Sequence, residues 1–309
     1  MFYVLIVLLI AVAAFPFVLE RLRVPMNDAA RQGAEGSFAN LSRGTVHYDW
    51  LGPVRGPVAV CVHGLTTPSF VWRGMARGLA LMGYRVLVYD HYGRGYSDRP
   101  RGRQDRRFFL SQLNELLADQ KVENDITLIG YSMGGAIATA FAAENPGRVR
   151  QLILIASAGL GAAPTGLARF VVQTPVIGDW LMLATYARRH RAATEEERDL
   201  PSTVENIVDR QQDELRYRGF VPAVLSSLRG ILSEVQAEDH RKLHVEAVPV
   251  LAIWGDADAV IPLSAMGHLA EWSRDARQEV IEGAGHGLTY THTAEVLQAI
   301  RNTLREGLN

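Results

Sequence analysis

The sequence predicts an α/β fold in which parallel strands are covered by helices on both faces. Three observations carry this. Short, mainly apolar runs rich in branched residues recur at 58–62, 85–90, 126–129, 149–156 and 248–254, and 58–62 is continuously apolar, as a strand buried on both faces requires. Between the first two, Met75, Leu79 and Met82 recur at helical spacing and stop at Gly83. The stretch 126–143 runs from Ile126-Thr127-Leu128-Ile129 through Gly130-Tyr131-Ser132-Met133-Gly134 into an alanine-rich segment, and so reads strand, sharp turn, helix.

With 309 residues the chain has length for a large core, read as one domain with an insertion. Its net charge of −1, with both signs interspersed, gives no electrostatic footprint for nucleic acid. The single cysteine, Cys61, lies within an apolar run, is expected to be buried, and has no second cysteine to pair with.

Taken in order, residues 2–19 are almost wholly apolar, interrupted by Pro16 and closed by Glu20-Arg21-Leu22-Arg23. Eighteen helical residues span about 27 Å, close to the hydrocarbon thickness of a bilayer. Residues 1–24 are read as a single membrane anchor. The alternative is a signal segment: Ala11-Val12-Ala13 resembles a cleavage site, yet no Lys or Arg precedes the apolar stretch. Arg21 and Arg23 on its C-terminal side point to a cytoplasmic catalytic domain. Residues 25–43 read as a polar tether, and 45–51 as an edge strand.

The core, placed at 44–157 and 248–309, continues with the run 58–62, ending in His63-Gly64-Leu65-Thr66. Gly64 permits a sharp turn there, and His63 reads as a turn residue. Asp90 to Pro100 is glycine-containing but lacks the third glycine of a dinucleotide fingerprint and a following helix. It reads as a tight loop with Asp90 and Asp98 accepting from turn amides. Leu113, Leu116 and Leu117 mark the helix that leads into 126–129.

Ser132 sits between two glycines at a strand-to-helix turn. Only residues without Cβ let the chain pass so closely on either side, and the hydroxyl is pushed out of the sheet. The amide of Met133 opens the following helix, and that of Leu65, or else Thr66, lies on a second turn. Both are candidate donors to an oxyanion.

Residues 158–247 break the strand rhythm and are read as an inserted helical lid. A crossover needs only about 30 residues, and this stretch is far longer. Its residues Phe170, Val171, Val172, Val176, Ile177 and Trp180 are more apolar than a solvated insertion needs, and Phe220, Val224, Leu225 and Leu228 form a helical stripe. Thr194 and Glu197 read as the cap and box partner of a helix start. After the strand 248–254 come Asp256 and Asp258; after a last strand, 279–281, comes Gly283-Ala284-Gly285-His286-Gly287, with His286 as the candidate base. His240 and His244 are four apart, but the glutamate of a zinc-helix motif is missing.

His63-Gly64, the 90–100 loop, Gly130-Tyr131-Ser132-Met133-Gly134-Gly135, Trp254-Gly255-Asp256-Ala257-Asp258 and Gly283-Ala284-Gly285-His286 together resemble the α/β-hydrolase superfamily, in its single-domain esterase and lipase branch, over roughly residues 44–305. The resemblance implies a mostly parallel eight-stranded sheet with helices on both faces. It also implies a Ser-acid-His triad of Ser132, Asp258 and His286, with Asp256 left to cap the turn. The expected function is cleavage of a carboxylic ester through an acyl-enzyme, with no metal or organic cofactor. With a membrane tether and an apolar lid, a monoacylglycerol or lysophospholipid is the natural substrate class. Small esters, lactones, thioesters, carbon–carbon bonds of diketones and cofactor-free perhydrolysis are the alternatives on the same fold, and a non-catalytic binding protein is the reading outside catalysis. Oligomeric state is not legible.

Overall fold

The computed structural model describes residues 1–161 and 165–306. Eight strands, β1 (Ser37–Leu41), β2 (Gly44–Leu51), β3 (Val58–Val62), β4 (Arg85–Tyr89), β5 (Ile126–Tyr131), β6 (Val149–Ile155), β7 (Val250–Gly255) and β8 (Arg277–Ile281), form one sheet in the order β1-β2-β4-β3-β5-β6-β7-β8. The β1–β2 and β2–β4 pairings are antiparallel and the other five are parallel.

The helices that precede the lid are α1 (Phe2–Leu22), α2 (Asp28–Arg31), α3 (Arg73–Leu81), α4 (Arg106–Asp119) and α5 (Met133–Glu144). Between β6 and β7 the described residues add α6 (Gly166–Gln173), α7 (Ile177–Glu195), α8 (Ile207–Asp213), α9 (Phe220–Arg229) and α10 (Ala237–Val245) and no strand of the sheet. This is the inserted helical cap. α11 (Ser264–Trp272), α12 (Leu288–Thr291) and α13 (Thr293–Glu306) complete the chain's regular structure.

Strand alternation divides the core. Val60, Val62, Leu128 and Leu152 face one helical layer, while Ala59, Cys61, Ile129 and Ile153 face the other. Both sides of the central strands are therefore dry, which is why these segments read as continuous rather than alternating apolar runs. Cys61 is fully buried and free, and burial pushes its thiol up.

Two expectations are corrected. The segment 45–51 is not the edge: β1 covers it, through a hairpin whose closing pairs are Asn40↔Thr45 and Leu41↔Gly44. The stretch read as a tether thus contributes α2 and the true edge strand. β1 buries only Ala39, so its period-two signal was too short to stand out from its polar neighbours. Thr194 does not start a helix either. It lies buried in the last turn of α7, where its hydroxyl donates to the carbonyls of His190 and Arg191 at 2.9 and 3.2 Å. Such back-bonding satisfies the hydroxyl without a cap.

Candidate active site

β3 lies between β4 and β5, so the chain order reverses around it and the loops after β3 and β5 diverge at the C-terminal sheet edge. Such an edge opens a crevice. Ser132 stands there between β5 and α5, with φ 54° and ψ −119°. A non-glycine residue with positive φ is strained and persists only when its surroundings over-determine it. Here they do: the Ser132 amide donates to Ile155 at 3.0 Å, and its carbonyl accepts from Gly135 and Ala158 at 2.9 and 3.0 Å. A Cβ on Gly134 would collide with the Val62 carbonyl, and one on Gly130 with the Gly134 carbonyl. Both glycines are needed for the helix to leave the strand so steeply.

His286, on the loop after β8, reaches across to this serine. Its Nε2 lies 2.9 Å from Ser132 Oγ, and its Nδ1 lies 2.8 Å from Asp258 Oδ2. The other carboxylate oxygen of Asp258 accepts from the amides of Val260 and Ile261 at 2.7 and 2.9 Å. Burial works to raise the Asp258 pKa, but the hydrogen bond and charge of His286 and these two amides hold it below its ordinary value. An ionised carboxylate can only accept, so Nδ1 carries the histidine proton and Nε2 is left to accept from the serine hydroxyl. Asp256 faces elsewhere and accepts from the Gly283 amide at 2.7 Å.

The turn after β3 passes directly beside Ser132: a Cβ on Gly64 would sit 3.3 Å from Ser132 Cβ. His63 is buried behind it, where its Nδ1–H donates to the Gly64 carbonyl at 2.8 Å and its Nε2 accepts the His91 amide at 2.9 Å. Burial holds its pKa down to about 4, so it is neutral. With the Gly64 carbonyl drawn one way, planarity of the peptide turns the Leu65 amide the other way. The fully buried Arg94 donates to the Leu65 carbonyl at 3.1 Å and to Ser227 Oγ in α9 at 2.8 Å, tying this turn to the lid.

Sequence reasoning missed Tyr131. Its hydroxyl donates to the His286 carbonyl at 3.0 Å and its ring packs 5.4 Å from the imidazole, so the residue preceding the serine helps hold the histidine loop. Its place inside the G-x-S-x-G motif was the only available signal. His240 and His244 are not joined in a site: His240 packs on Trp272, while His244 lies 3.0 Å from Asp275.

The 90–100 loop is held by charge. Asp90 accepts from the amides of Ser69 and Tyr96 at 2.8 and 2.9 Å and from His47 Nδ1 at 2.7 Å. Burial opposes the charge on His47, but Asp90 outweighs it and raises the pKa to about 9. Asp98 accepts from the Thr45 amide of β2 at 2.7 Å and pairs with Arg31, so of the two loop aspartates Asp90 serves the turn and Asp98 the neighbouring strand.

A histidine whose folded pKa lies above its unfolded value of about 6.5 contributes stability that is complete below that value and is lost as pH rises through the folded pKa. The unfolding midpoint is therefore expected to fall between pH 6.5 and 9.5, by the equivalent of on the order of 3 kcal/mol. His47→Gln should flatten that slope; thermal unfolding across this range checks it, and an equally steep variant would dismiss the pair.

Ser132 and Leu65 line a cavity of about 1630 Å³ between the sheet edge and the lid, whose walls include Met182, Leu183, Val221, Leu225 and Leu228. The family model for the alpha/beta hydrolase fold matches residues 57–293. The chain belongs to this α/β-hydrolase family. It is 28% identical to an uncharacterized protein of Mycobacterium tuberculosis over 247 residues, 75% of this chain and 70% of the relative. It is also 28% identical to the 2-hydroxymuconate semialdehyde hydrolase of Pseudomonas sp. strain CF600, covering 72% of this chain and 77% of the relative. The solved esterase of Exiguobacterium antarcticum superposes with a TM-score of 0.73 at 21% identity, covering 87% of this chain and 99% of the other.

Proposed function

We propose that this protein is a serine hydrolase cleaving carboxylic esters or lactones through an acyl-enzyme. The observation that carries the reading is the hydrogen-bonded relay from Ser132 through His286 to Asp258 at the edge of a large cavity. His286 takes the Ser132 proton as Oγ attacks the carbonyl carbon. Asp258 holds the imidazole in the required tautomer and balances its charge when protonated. The amides of Met133 and Leu65 receive the developing oxyanion; Leu65 is preferred to Thr66 because Leu65 lines the cavity. The alcohol leaves with the proton from His286, and water deprotonated by the same histidine then releases the acid.

Substrate breadth is set by the cavity. The similar proteins include an esterase, a semialdehyde hydrolase and an enol-lactonase, which favours a small ester or lactone over any particular lipid. A monoacylglycerol or lysophospholipid is the second reading. It is favoured by the cavity volume and by Phe17 of α1, which forms part of the wall. α1 is long and apolar enough to cross a membrane, and only Pro16 and Glu20 in it are buried. We read it as a membrane anchor.

The test is a p-nitrophenyl ester series from acetate to palmitate, run beside simple lactones. Turnover of both classes is expected, with esters of medium chain faster than acetate as they fill the apolar walls. Activity confined to acetate and butyrate would remove the lipid reading. Stoichiometric fluorophosphonate labelling of Ser132 with no turnover of any ester or lactone would leave a binding protein on this fold.

A further inference from the structure

α1 does not simply hang from the domain. Its C-terminal end is fastened to the lid segment before α9: the Val24 amide donates to Arg216 at 3.1 Å, the Arg218 amide donates to Val24 at 2.8 Å, and Glu20 accepts from the Gly219 amide at 2.6 Å. Farther along, Trp180 of α7 donates its indole N–H to the Val12 carbonyl at 3.2 Å. That carbonyl is available because Pro16, four residues on, has no N–H to offer it. The proline thus creates an acceptor inside the apolar helix, and the lid uses it.

The two helices run the same way. Trp180 meets Val12, and ten residues later His190 packs 6.2 Å from the ring of Phe220, the neighbour of the glycine that Glu20 holds. Their charge steps then coincide. Arg21 and Arg23 follow Val12 by nine and eleven positions, and Arg188, Arg189 and Arg191 follow Trp180 by eight, nine and eleven. Ahead of these arginines α1 is apolar at the surface, and the lid edge is largely so, its exposed Arg169 and Gln173 being hydrogen-bonded to one another at 3.3 Å. In the lid, Leu167, Phe170, Val176 and Ile177 are exposed, Val176 by 71%.

The position of Val12 sets a depth. It lies ten residues from Leu22, about 15 Å along the helix and so near the middle of a hydrocarbon layer of about 30 Å. A lid edge bonded at that height cannot stay in water while α1 spans the bilayer.

The geometry points to a lid whose α6–α7 edge is sunk into the bilayer beside α1, with the arginines of both helices at the headgroup level and the active-site cavity open to the hydrocarbon. The cavity wall contains Phe17 and Glu20 from α1 together with Val172, Pro175 and Met182 from this lid edge, so it reaches the junction between anchor and lid. The substrate class is then an ester dissolved in the membrane, entering sideways between α1 and the lid. This inference rests on the serine-hydrolase reading for its substrate and on the anchor reading for its placement.

Cys61 is buried and is the only cysteine, which permits a site-specific probe. An Ile177→Cys chain labelled with an environment-sensitive fluorophore, reconstituted into phosphatidylcholine vesicles, is expected to lose most of its emission when brominated lipids replace ordinary ones. A label at Val54→Cys, on the exposed loop before β3, should keep its emission. Equal quenching at the two positions in a chain that floats with the vesicles would overturn the proposal, as would failure of the chain to float. The kinetic counterpart is Phe170→Glu combined with Ile177→Glu. It is expected to lower kcat/KM on a long-chain ester carried in vesicles by about tenfold while leaving a soluble butyrate ester unchanged. An equal loss on both esters overturns the lateral route. Absence of wild-type turnover on both esters refutes the hydrolase reading instead, and the quenching result still decides where the lid lies.

Discussion

Ser132→Ala is expected to lower kcat by about 10⁴- to 10⁶-fold on any ester the protein turns over, and to abolish fluorophosphonate labelling, with the fold intact. The hydroxyl is the only group lost, while the backbone bonds to Ile155, Gly135 and Ala158 that hold the turn remain. Alanine keeps the strain of a positive φ; glycine does not. Ser132→Gly should therefore be equally inactive but more stable by about 1 kcal/mol, because the left-handed conformation costs glycine almost nothing. Steady-state kinetics and thermal unfolding on the pair read both effects. Near-native turnover in either variant would remove Ser132 as the nucleophile, and a glycine variant no more stable than wild type would show that the turn stores no strain.

Asp258→Asn is expected to cost about 10⁴-fold in kcat with little change in KM. An asparagine oxygen can still accept from Val260 and Ile261, so the amide nitrogen is left facing His286 Nδ1. The amide donates, so Nδ1 must now accept, the imidazole proton moves to Nε2, and Nε2 can no longer take one from Ser132. The serine–histidine distance should hardly change while the chemistry fails. The measurement is kcat and KM on the best ester of the series, with fluorophosphonate labelling rate as a second readout. Wild-type rates in this variant would mean that another carboxylate orients His286.

Much of this site was legible because it is written in local backbone rules. Gly130 and Gly134 flank a serine that must turn sharply, the residues before it are apolar and branched, and those after it are small, so strand, elbow and helix can be read from one stretch. Asp258 and His286 were placed by resemblance; each follows a strand that the apolar runs mark, and the fold brings them within hydrogen-bond distance of one another and of Ser132. The helical insertion was visible because too many residues separate two strands that pair with the same sheet.

What escaped was whatever depends on contacts between distant segments. β1 carries one buried residue, and its identity as a strand comes from pairing with β2 rather than from its own pattern. Thr194 resembles a helix cap in sequence, and its burial in the last turn of α7 reverses that reading. Beyond its place in the G-x-S-x-G motif, Tyr131 gives no sign of holding a loop 155 residues away.

The sequence by itself determined the succession of the central strands, the strained serine and the apolar character of the first helix, because steric limits and hydrophobic periodicity act over a few residues. Only the tertiary structure decided that the first helix is a wall of the cavity. Pro16 strips a hydrogen bond from Val12, and whether that carbonyl meets water, lipid or Trp180 depends on where the lid folds back. No neighbour in sequence records that choice.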